Sequence, residues 1–116
     1  MKDAIPGVLA LDTSNYTTSV AVIDKLRCIL LDQREILKVR QGERGLRQSH
    51  ALFQHIQNLP ELLQQCFAAV PASRIAAIAV SDRPRPVEGS YMPVFSGGLS
   101  FARALAASLN VPLFRF

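Results

Sequence analysis

Residues 9–24 read LALDTSNYTTSVAVID, and this stretch decides the fold of the chain. GVLALD, residues 7–12, predicts a short buried strand that ends on the carboxylate of Asp12, and TSVAVID, residues 18–24, alternates β-branched residues as a second strand does. The link between them, residues 13–17, is polar and turn-forming. Because two strands joined by so short a link run antiparallel, the stretch predicts a hairpin.

The rest of the chain continues this hairpin into a β-β-β-α-β-α-β order. The patterns predict a third strand over 26–39 with an irregularity near Asp32, a helix from Ser49 to Pro71, a fourth strand over 75–80, a second helix over 97–109 and a last strand over 111–116. The fourth strand, IAAIAV, is apolar throughout, as parallel strands covered on both faces usually are. We therefore expect one α/β domain with a mixed sheet, the ribonuclease-H-like unit that actin, hexokinase and Hsp70 ATPases use twice around a nucleotide cleft.

Both helices carry a recognisable packing face. In the first, the apolar residues step by three and four, which predicts a buried stripe of Leu52, Ile56, Leu59, Leu63, Cys66 and Val70. Ser49 is the expected N-cap, and Pro60 leaves either one kinked helix or two helices open. In the second, small residues predict a close approach to the sheet and Asn110 suits the C-terminal cap; the small residues are Gly98, Ala102 and Ala106.

The composition of the 116 residues is that of a folded domain, with 49% hydrophobic and 19% charged side chains. No apolar run approaches the ~20 residues that cross a bilayer, and the first residues do not resemble a secretory signal. Cys28 and Cys66 lie far apart among apolar neighbours, which predicts two buried thiols in a reducing compartment. We therefore expect a cytoplasmic protein with no membrane contact.

Basic residues are concentrated between Lys25 and Arg47. This segment holds seven basic side chains against three acids, and the net charge of the chain is +4. A solvated strand edge and loop would have this composition, and so would a surface that contacts RNA phosphates. No aromatic residue interleaves with these charges, which disfavours a base-stacking module.

The polar link after the first strand can carry chemistry. A carboxylate at a strand end, followed by hydroxyl residues in a tight turn, can hold a metal ion or its water while N–H groups and hydroxyls bind phosphate oxygens. An ordinary hairpin also favours Asp, Thr, Ser and Asn at these positions. The residues alone leave both interpretations open.

At this point the sequence resembles the glycoprotease family, which includes the tRNA threonylcarbamoyltransferase TsaD and its inactive partner TsaB. LALDTSNYTTSVAVID is similar to the family's opening, and SHALFQHIQNLPELLQQ is similar to its first long helix. IAAIAVS resembles its fourth strand, and GLSFARALAASLNVPLFRF its second helix and fifth strand. The likeness covers nearly the whole chain in the right order, as the first half of a two-domain protein.

The resemblance implies a nucleotide-binding fold and transfer of a threonylcarbamoyl group to an adenosine in tRNA; an older family name is O-sialoglycoprotein endopeptidase. It implies ATP, with Mg²⁺, or a threonylcarbamoyl-adenylate at a first phosphate loop made of Asp12, Thr13, Ser14, Asn15 and Thr17. The implied partners are a second domain of the same protein or a homologous subunit, with tRNA as a candidate substrate.

The family's metal site is missing from this chain. It uses a His-x-x-x-His motif beyond the fifth strand and an Asp in the second domain, so iron or zinc is expected only in a full-length protein. The two histidines present, His50 and His55, lie about 140° apart on a helix and cannot bind one metal from one face. We expect them to be surface or partly buried side chains, with His50 kept as a weak site candidate.

The loop after the fourth strand also departs from the family. Its Gly-Pro-Gly-rich link is replaced by residues 81–91, SDRPRPVEGSY, in which Arg83 and Arg85 either bind an anion or pair with nearby acids. The start of the second helix carries Gly97 and Gly98, whose N–H groups suit an anion, although close helix packing explains these glycines equally well.

Three functions are compatible with the sequence. The first is the nucleotide-binding half of a TsaD-like protein, inactive and weak in ATP binding when alone, as a single domain of a longer protein or a truncated product would be. The second is a non-catalytic TsaB-like module that forms a helix-mediated dimer. The third, a small-molecule phosphotransferase, ranks last because the loop DTSNYTTS lacks the glycines usual in that group.

Overall fold

The hairpin predicted from residues 9–24 is present. In the computed structural model, which describes residues 5–42, 45–84 and 93–116, β1 (Gly7–Asp12) pairs antiparallel with β2 (Thr17–Asp24). The other elements are β3 (Ile29–Ile36), α1 (Gln48–Ala69), a short 3-10 helix (Ala72–Arg74), β4 (Ile75–Val80), α2 (Val94–Leu109) and β5 (Leu113–Arg115). The predicted β-β-β-α-β-α-β order is confirmed.

The strands form one mixed sheet in the spatial order β3-β2-β1-β4-β5. The meander β1–β2–β3 is antiparallel, while β1 pairs in parallel with β4 and β4 with β5. The apolar strand β4 is parallel, as its composition predicts, but it is not covered on both faces, since Ala76 is exposed and Ala79 is half-buried. The carboxyl ends of β1, β4 and β5 consequently share one edge of the sheet.

The core lies between the two helices and one face of the sheet. Alternate strand residues point into it, among them Leu9, Val20 and Ile78, each with 0% of its surface exposed. Leu59 of α1 and Ala102 of α2 are equally buried in the same cluster. Within the described ranges, no helix combines the length and the apolar composition that a bilayer crossing needs.

Strand boundaries differ from the sequence prediction in two places. β3 spans Ile29–Ile36 rather than 26–39, and the irregularity predicted near Asp32 is a register shift at Leu30, opposite Val22 and Ile23. β5 spans Leu113–Arg115 rather than 111–116. The bounds of β5 are nevertheless close to the prediction, because Pro112 and Phe116 still form backbone hydrogen bonds with β4 or the residues after it.

The first helix is a single element, with Pro60 inside it. The predicted cap is wrong: the N-cap is Arg47, which makes no side-chain cap bond, and Ser49 lies within the helix. The buried face is also displaced by one residue in its first half, because the structure buries Ala51 and His55 where the stripe predicts Leu52 and Ile56.

The second helix begins at Val94, three residues earlier than predicted. Its small-residue face is confirmed, since Gly98, Ala102 and Ala106 are all buried. Asn110 ends the helix in the left-handed conformation, with φ of 56°, as predicted for a cap that asparagine tolerates.

The two cysteines differ from each other. Cys66 is buried in the core, and burial raises the pKa of its thiol. Cys28 is exposed, contrary to the prediction, because it lies in the turn between β2 and β3 rather than within a strand.

Candidate functional site at the carboxyl edge of the sheet

The polar link between β1 and β2, residues 12–16, lies at the carboxyl edge of the parallel strands; we refer to it as the acidic turn. β1 ends at Asp12 and the neighbouring β4 ends at Val80, so Ser81 follows directly beside the turn. The Ser81 hydroxyl donates a hydrogen bond of 2.7 Å to Oδ1 of Asp12. The crevice at such an edge is where open α/β sheets bind ligands.

Asp12 is held in its charged form. Its Oδ1 also accepts the Ser14 N–H at 2.8 Å, a tight local turn closed by the side chain. Partial burial by itself raises the pKa of Asp12, but the hydrogen bonds from Ser14 and Ser81, with a smaller contribution from His55, lower the pKa below its ordinary value. Asp12 is an exposed residue at the end of β1, so a ligand can approach its carboxylate.

Thr13 joins the acidic turn to α2 and has 0% of its surface exposed. Its hydroxyl donates to the Val94 carbonyl at 2.7 Å and accepts the Gly98 N–H at 3.1 Å. Val94 and Gly98 are four residues apart in α2, so the hydroxyl bonds to the acceptor and the donor of one step in the first turn of this helix. The Thr13 side chain therefore joins the acidic turn to α2 and does not face solvent.

His55 joins the same turn to α1. The imidazole is fully buried, with Nδ1 2.7 Å from the Thr18 hydroxyl and Nε2 2.9 Å from the Asn15 carbonyl. The Asn58 amide donates to the Thr18 hydroxyl at 3.1 Å. Burial lowers the pKa of His55, although the Asn15 contact and the Asp12 charge act in the opposite direction.

The remaining residues of the turn reach the surface. Ser14 is half-buried, while Asn15 and Tyr16 are exposed, and Thr17 begins β2 half-buried. Tyr16 is fixed at both ends, since its carbonyl accepts the Leu37 N–H and its hydroxyl accepts the Leu46 N–H, each at 2.8 Å. The polar groups of Ser14 and Asn15 are therefore presented from a turn that four other parts of the fold hold in place.

A second charged cluster follows β4. The Asp82 carboxylate, with 1% of its side chain exposed, accepts Nε and Nη2 of Arg83 at 2.9 and 2.8 Å and Nε of Arg115 at 2.7 Å. The hydrogen bond from Arg83 is the main cause that lowers the pKa of Asp82 to about 2. Arg83 thus pairs with a neighbouring acid, one of the two alternatives left open by the sequence.

Several predicted site residues lie elsewhere. Gly97 and Gly98 lie in the second turn of α2 and are buried: a Cβ at Gly97 would lie 3.0 Å from Leu52, and the Gly98 N–H is already bonded to Thr13. His50 is exposed on α1, and Arg85 lies outside the described residues. Across residues 5–42, 45–84 and 93–116, no three His, Cys, Asp or Glu side chains converge to hold a metal ion.

Sequence reasoning missed Ser81, Arg115 and His55. The first two reach the site only through the register of parallel strands, which the sequence does not specify. For His55 a signal existed, because Ala51, His55 and Leu59 follow a spacing of four on one helical face. The prediction preferred Ile56 on hydrophobicity, although Ile56 is 43% exposed.

Two curated relatives match the chain in sequence, whereas no family model matches it. The probable mitochondrial tRNA N6-adenosine threonylcarbamoyltransferase of Caenorhabditis elegans is 29% identical over 109 residues, covering 91% of this chain and 25% of the relative. The tRNA N6-adenosine threonylcarbamoyltransferase of Carboxydothermus hydrogenoformans is 31% identical over 109 residues, covering 91% and 31%. The chain spans about a third or less of the length of these relatives.

The fold also matches a solved structure, YeaZ from Pseudomonas aeruginosa. The TM-score is 0.68 at 23% identity, over 97% of this chain and 44% of that one. YeaZ has a ribonuclease-H-like fold, so the fold class predicted from the element order is confirmed. By sequence, the chain is similar to tRNA N6-adenosine threonylcarbamoyltransferases over 109 residues, a similarity that the motifs of its opening strand, helices and fourth strand predict.

Proposed function

We propose that the acidic turn binds the phosphate groups of ATP or of a threonylcarbamoyl-adenylate, as part of a nucleotide-binding domain that serves tRNA threonylcarbamoyladenosine formation. The observation that carries this proposal is the anchoring of the turn. Ser81, Thr13, His55 and the backbone of Leu37 and Leu46 fix it from separate elements, while Ser14 and Asn15 stay accessible. An ordinary hairpin turn does not need such support, whereas a ligand loop gains affinity from it.

The donor set at the turn fits a magnesium–phosphate group. Asp12 offers the hard carboxylate oxygen that Mg²⁺ prefers, held charged by its hydrogen bonds. When bound, the ion would neutralise phosphate charge. Ser14 and Asn15 would hydrogen-bond the phosphate oxygens through side-chain and backbone groups. Iron or zinc has no matching cluster within the described ranges, so we assign no role to either metal here.

Arg83 and Arg115 support a second anion contact at the same edge. Asp82 orients both guanidinium groups, which retain N–H groups not used in those pairs, and the cluster carries one net positive charge. Their side chains are 36% and 47% exposed. We place the distal charged group of the ligand here, and Arg85 remains a prediction from the sequence.

The chain covers only part of its relatives, so the complete activity needs more than this domain. We propose that a second domain or a homologous subunit supplies the other wall of the cleft, and that transfer to tRNA does not occur on this domain alone. For tRNA, the cations Lys38 and Arg40 line a groove of about 230 Å³ that also contains His50, and its lining includes no acid among the described residues. Cations in this arrangement suit a phosphate backbone, with binding that weakens as salt increases.

An ATP titration followed by NMR tests the turn. With Mg²⁺ present, we expect the amides of Ser14 and Asn15 to shift at millimolar ATP, because half a cleft binds weakly. Asp12→Ala should weaken binding about tenfold or more, the loss expected for one ionic contact of ~1.5–3 kcal/mol. Asp32→Ala, which removes an exposed acid paired with Arg34 on β3, should leave binding unchanged.

Two results would contradict the proposal. One is a titration in which ATP shifts amides elsewhere and leaves the acidic turn unchanged. The other is an Asp12→Ala variant that binds as the parent does. Micromolar affinity of this chain alone would overturn the view that a second wall is required.

An exposed apolar patch on α1 favours the second function, a non-catalytic interaction module. Phe53 and Ile56 are 61% and 43% exposed on the helix surface. We propose that a second copy or a homologous subunit covers them, through a helix-mediated two-fold contact. Sedimentation should show a dimer that Ile56→Lys dissociates and Gln57→Lys, at an exposed neighbour, does not; a parent that stays monomeric at high concentration would contradict this.

A further inference from the structure

We propose that His55 is a positioning residue, which fixes the acidic turn by donating its Nε2–H to the Asn15 carbonyl. The inference builds on the proposed function, because it assigns a partner to the turn that we propose binds phosphate. His55 does not reach the surface and would not touch a ligand. It acts through the backbone of Asn15, whose side chain is exposed at the tip of the turn.

The hydrogen bonds around the imidazole define one tautomer. The Asn15 carbonyl can only accept, so the neutral ring must carry its proton on Nε2. The Thr18 hydroxyl accepts from the Asn58 amide and donates its own proton to Nδ1 of His55. Nδ1 is therefore the acceptor, and the ring proton lies on Nε2, 2.9 Å from the Asn15 oxygen. The hydrogen bonds therefore all run in one direction. Asn58 of α1 donates to Thr18 of β2, Thr18 donates to His55 of α1, and His55 donates to the acidic turn.

Protonation of His55 would break this series of hydrogen bonds. A proton on Nδ1 would point at the Thr18 hydroxyl, which would then lose the acceptor for its own proton. Among the elements packed on His55, β1 contributes the negative charge of Asp12, while α2 faces it with the uncharged Gly97. The acid of β2, Asp24, lies at the far end of that strand from Thr18, and the titratable groups of the acidic turn are Asp12 and the Tyr16 hydroxyl.

The direction of the pH effect follows from burial. Burial lowers the pKa of His55 from its ordinary value of 6.5, so the unfolded chain takes up this proton at a higher pH than the folded one. The stability that depends on the neutral ring is complete above pH 6.5 and is lost as the pH falls below that value. The conformation of the acidic turn should change when His55 itself is protonated.

Nitrogen-15 NMR of the imidazoles tests the positioning without any ligand. We expect His55 to carry its proton on Nε2 and to titrate below the ordinary histidine value. The amides of Ser14, Asn15 and Tyr16 should follow the titration of His55. A proton on Nδ1, or turn amides that ignore the His55 titration, would overturn the proposal.

Variants connect the same residue to the ligand. His55→Leu should weaken ATP binding about tenfold, since the Asn15 carbonyl loses its buried donor. His55→Gln can donate to Asn15 and accept from Thr18, so it should stay within about threefold of the parent. Gln64→Ala, at an exposed position of the same helix, is the control and should bind as the parent does.

The two proposals fail in distinguishable ways. If the parent does not bind ATP but the turn amides follow His55, the proposed ligand is wrong and the positioning role stands. If the parent binds ATP and His55→Leu, shown by NMR to be folded, binds it equally well, the positioning role is wrong and the proposed function stands.

Discussion

A valine at Gly98 is expected to destabilise the domain by roughly 3 kcal/mol or more, a large part of the ~5–15 kcal/mol typical of a small domain. A Cβ at this position would lie 3.0 Å from Oγ1 of Thr13 and 3.4 Å from Cγ2 of both Thr13 and Val80. Valine adds two further methyl groups on that Cβ. The neighbours are the ends of β1 and β4, which the sheet holds in place, so α2 would have to move away from the acidic turn.

Helix propensity cannot explain a loss of stability in this variant, because valine is a better helix former than glycine. Any loss of stability must therefore come from the contact with Thr13 and Val80. Urea unfolding measures it, with Ala107→Val, at an exposed position of the same helix, as the control expected to change stability by less than about 1 kcal/mol. Equal stability of the Gly98→Val variant and the parent would show that the helix and sheet are not in the contact described.

The architecture could be predicted from the sequence because the patterns that specify it are local. The hairpin at residues 9–24, the apolar β4 and the spacing of Gly98, Ala102 and Ala106 each follow from neighbouring residues, and each is present in the structure. The ends of the strands were harder to predict. Where β3 and β5 end depends on which residues find a partner strand, and that is decided by segments far away in the chain.

The candidate site was only partly accessible. Asp12 lies at the carboxyl edge, as a carboxylate at the end of a buried strand predicts. Hydrophobicity could not predict that His55 is buried, since its hydrogen-bond partners, Thr18 and Asn15, precede it by 37 and 40 residues. Arg115 likewise reaches Asp82 across 33 residues, through the parallel pairing of β4 and β5.

The Thr13→Val variant is expected to lose roughly 2–4 kcal/mol of stability, although valine has nearly the shape of threonine. The hydroxyl is the side-chain partner of both the Val94 carbonyl and the Gly98 N–H in the first turn of α2. A methyl group in its place can neither donate nor accept, so both buried backbone groups lose a partner. The melting temperature should fall by roughly 10–20 °C for a domain of this size.

Thr13→Ser keeps the hydroxyl and should retain most of the stability, so the serine and valine variants separate the hydrogen bonds from the packing of the methyl group. Hydrogen exchange at the Gly98 amide gives a second measurement, since its protection should fall in Thr13→Val and persist in Thr13→Ser. A valine variant within about 1 kcal/mol of the parent would mean that the helix closes its own bond between Val94 and Gly98. In that case Thr13 would not be what joins the acidic turn to α2, and the turn would have one anchor fewer than its proposed role in phosphate binding requires.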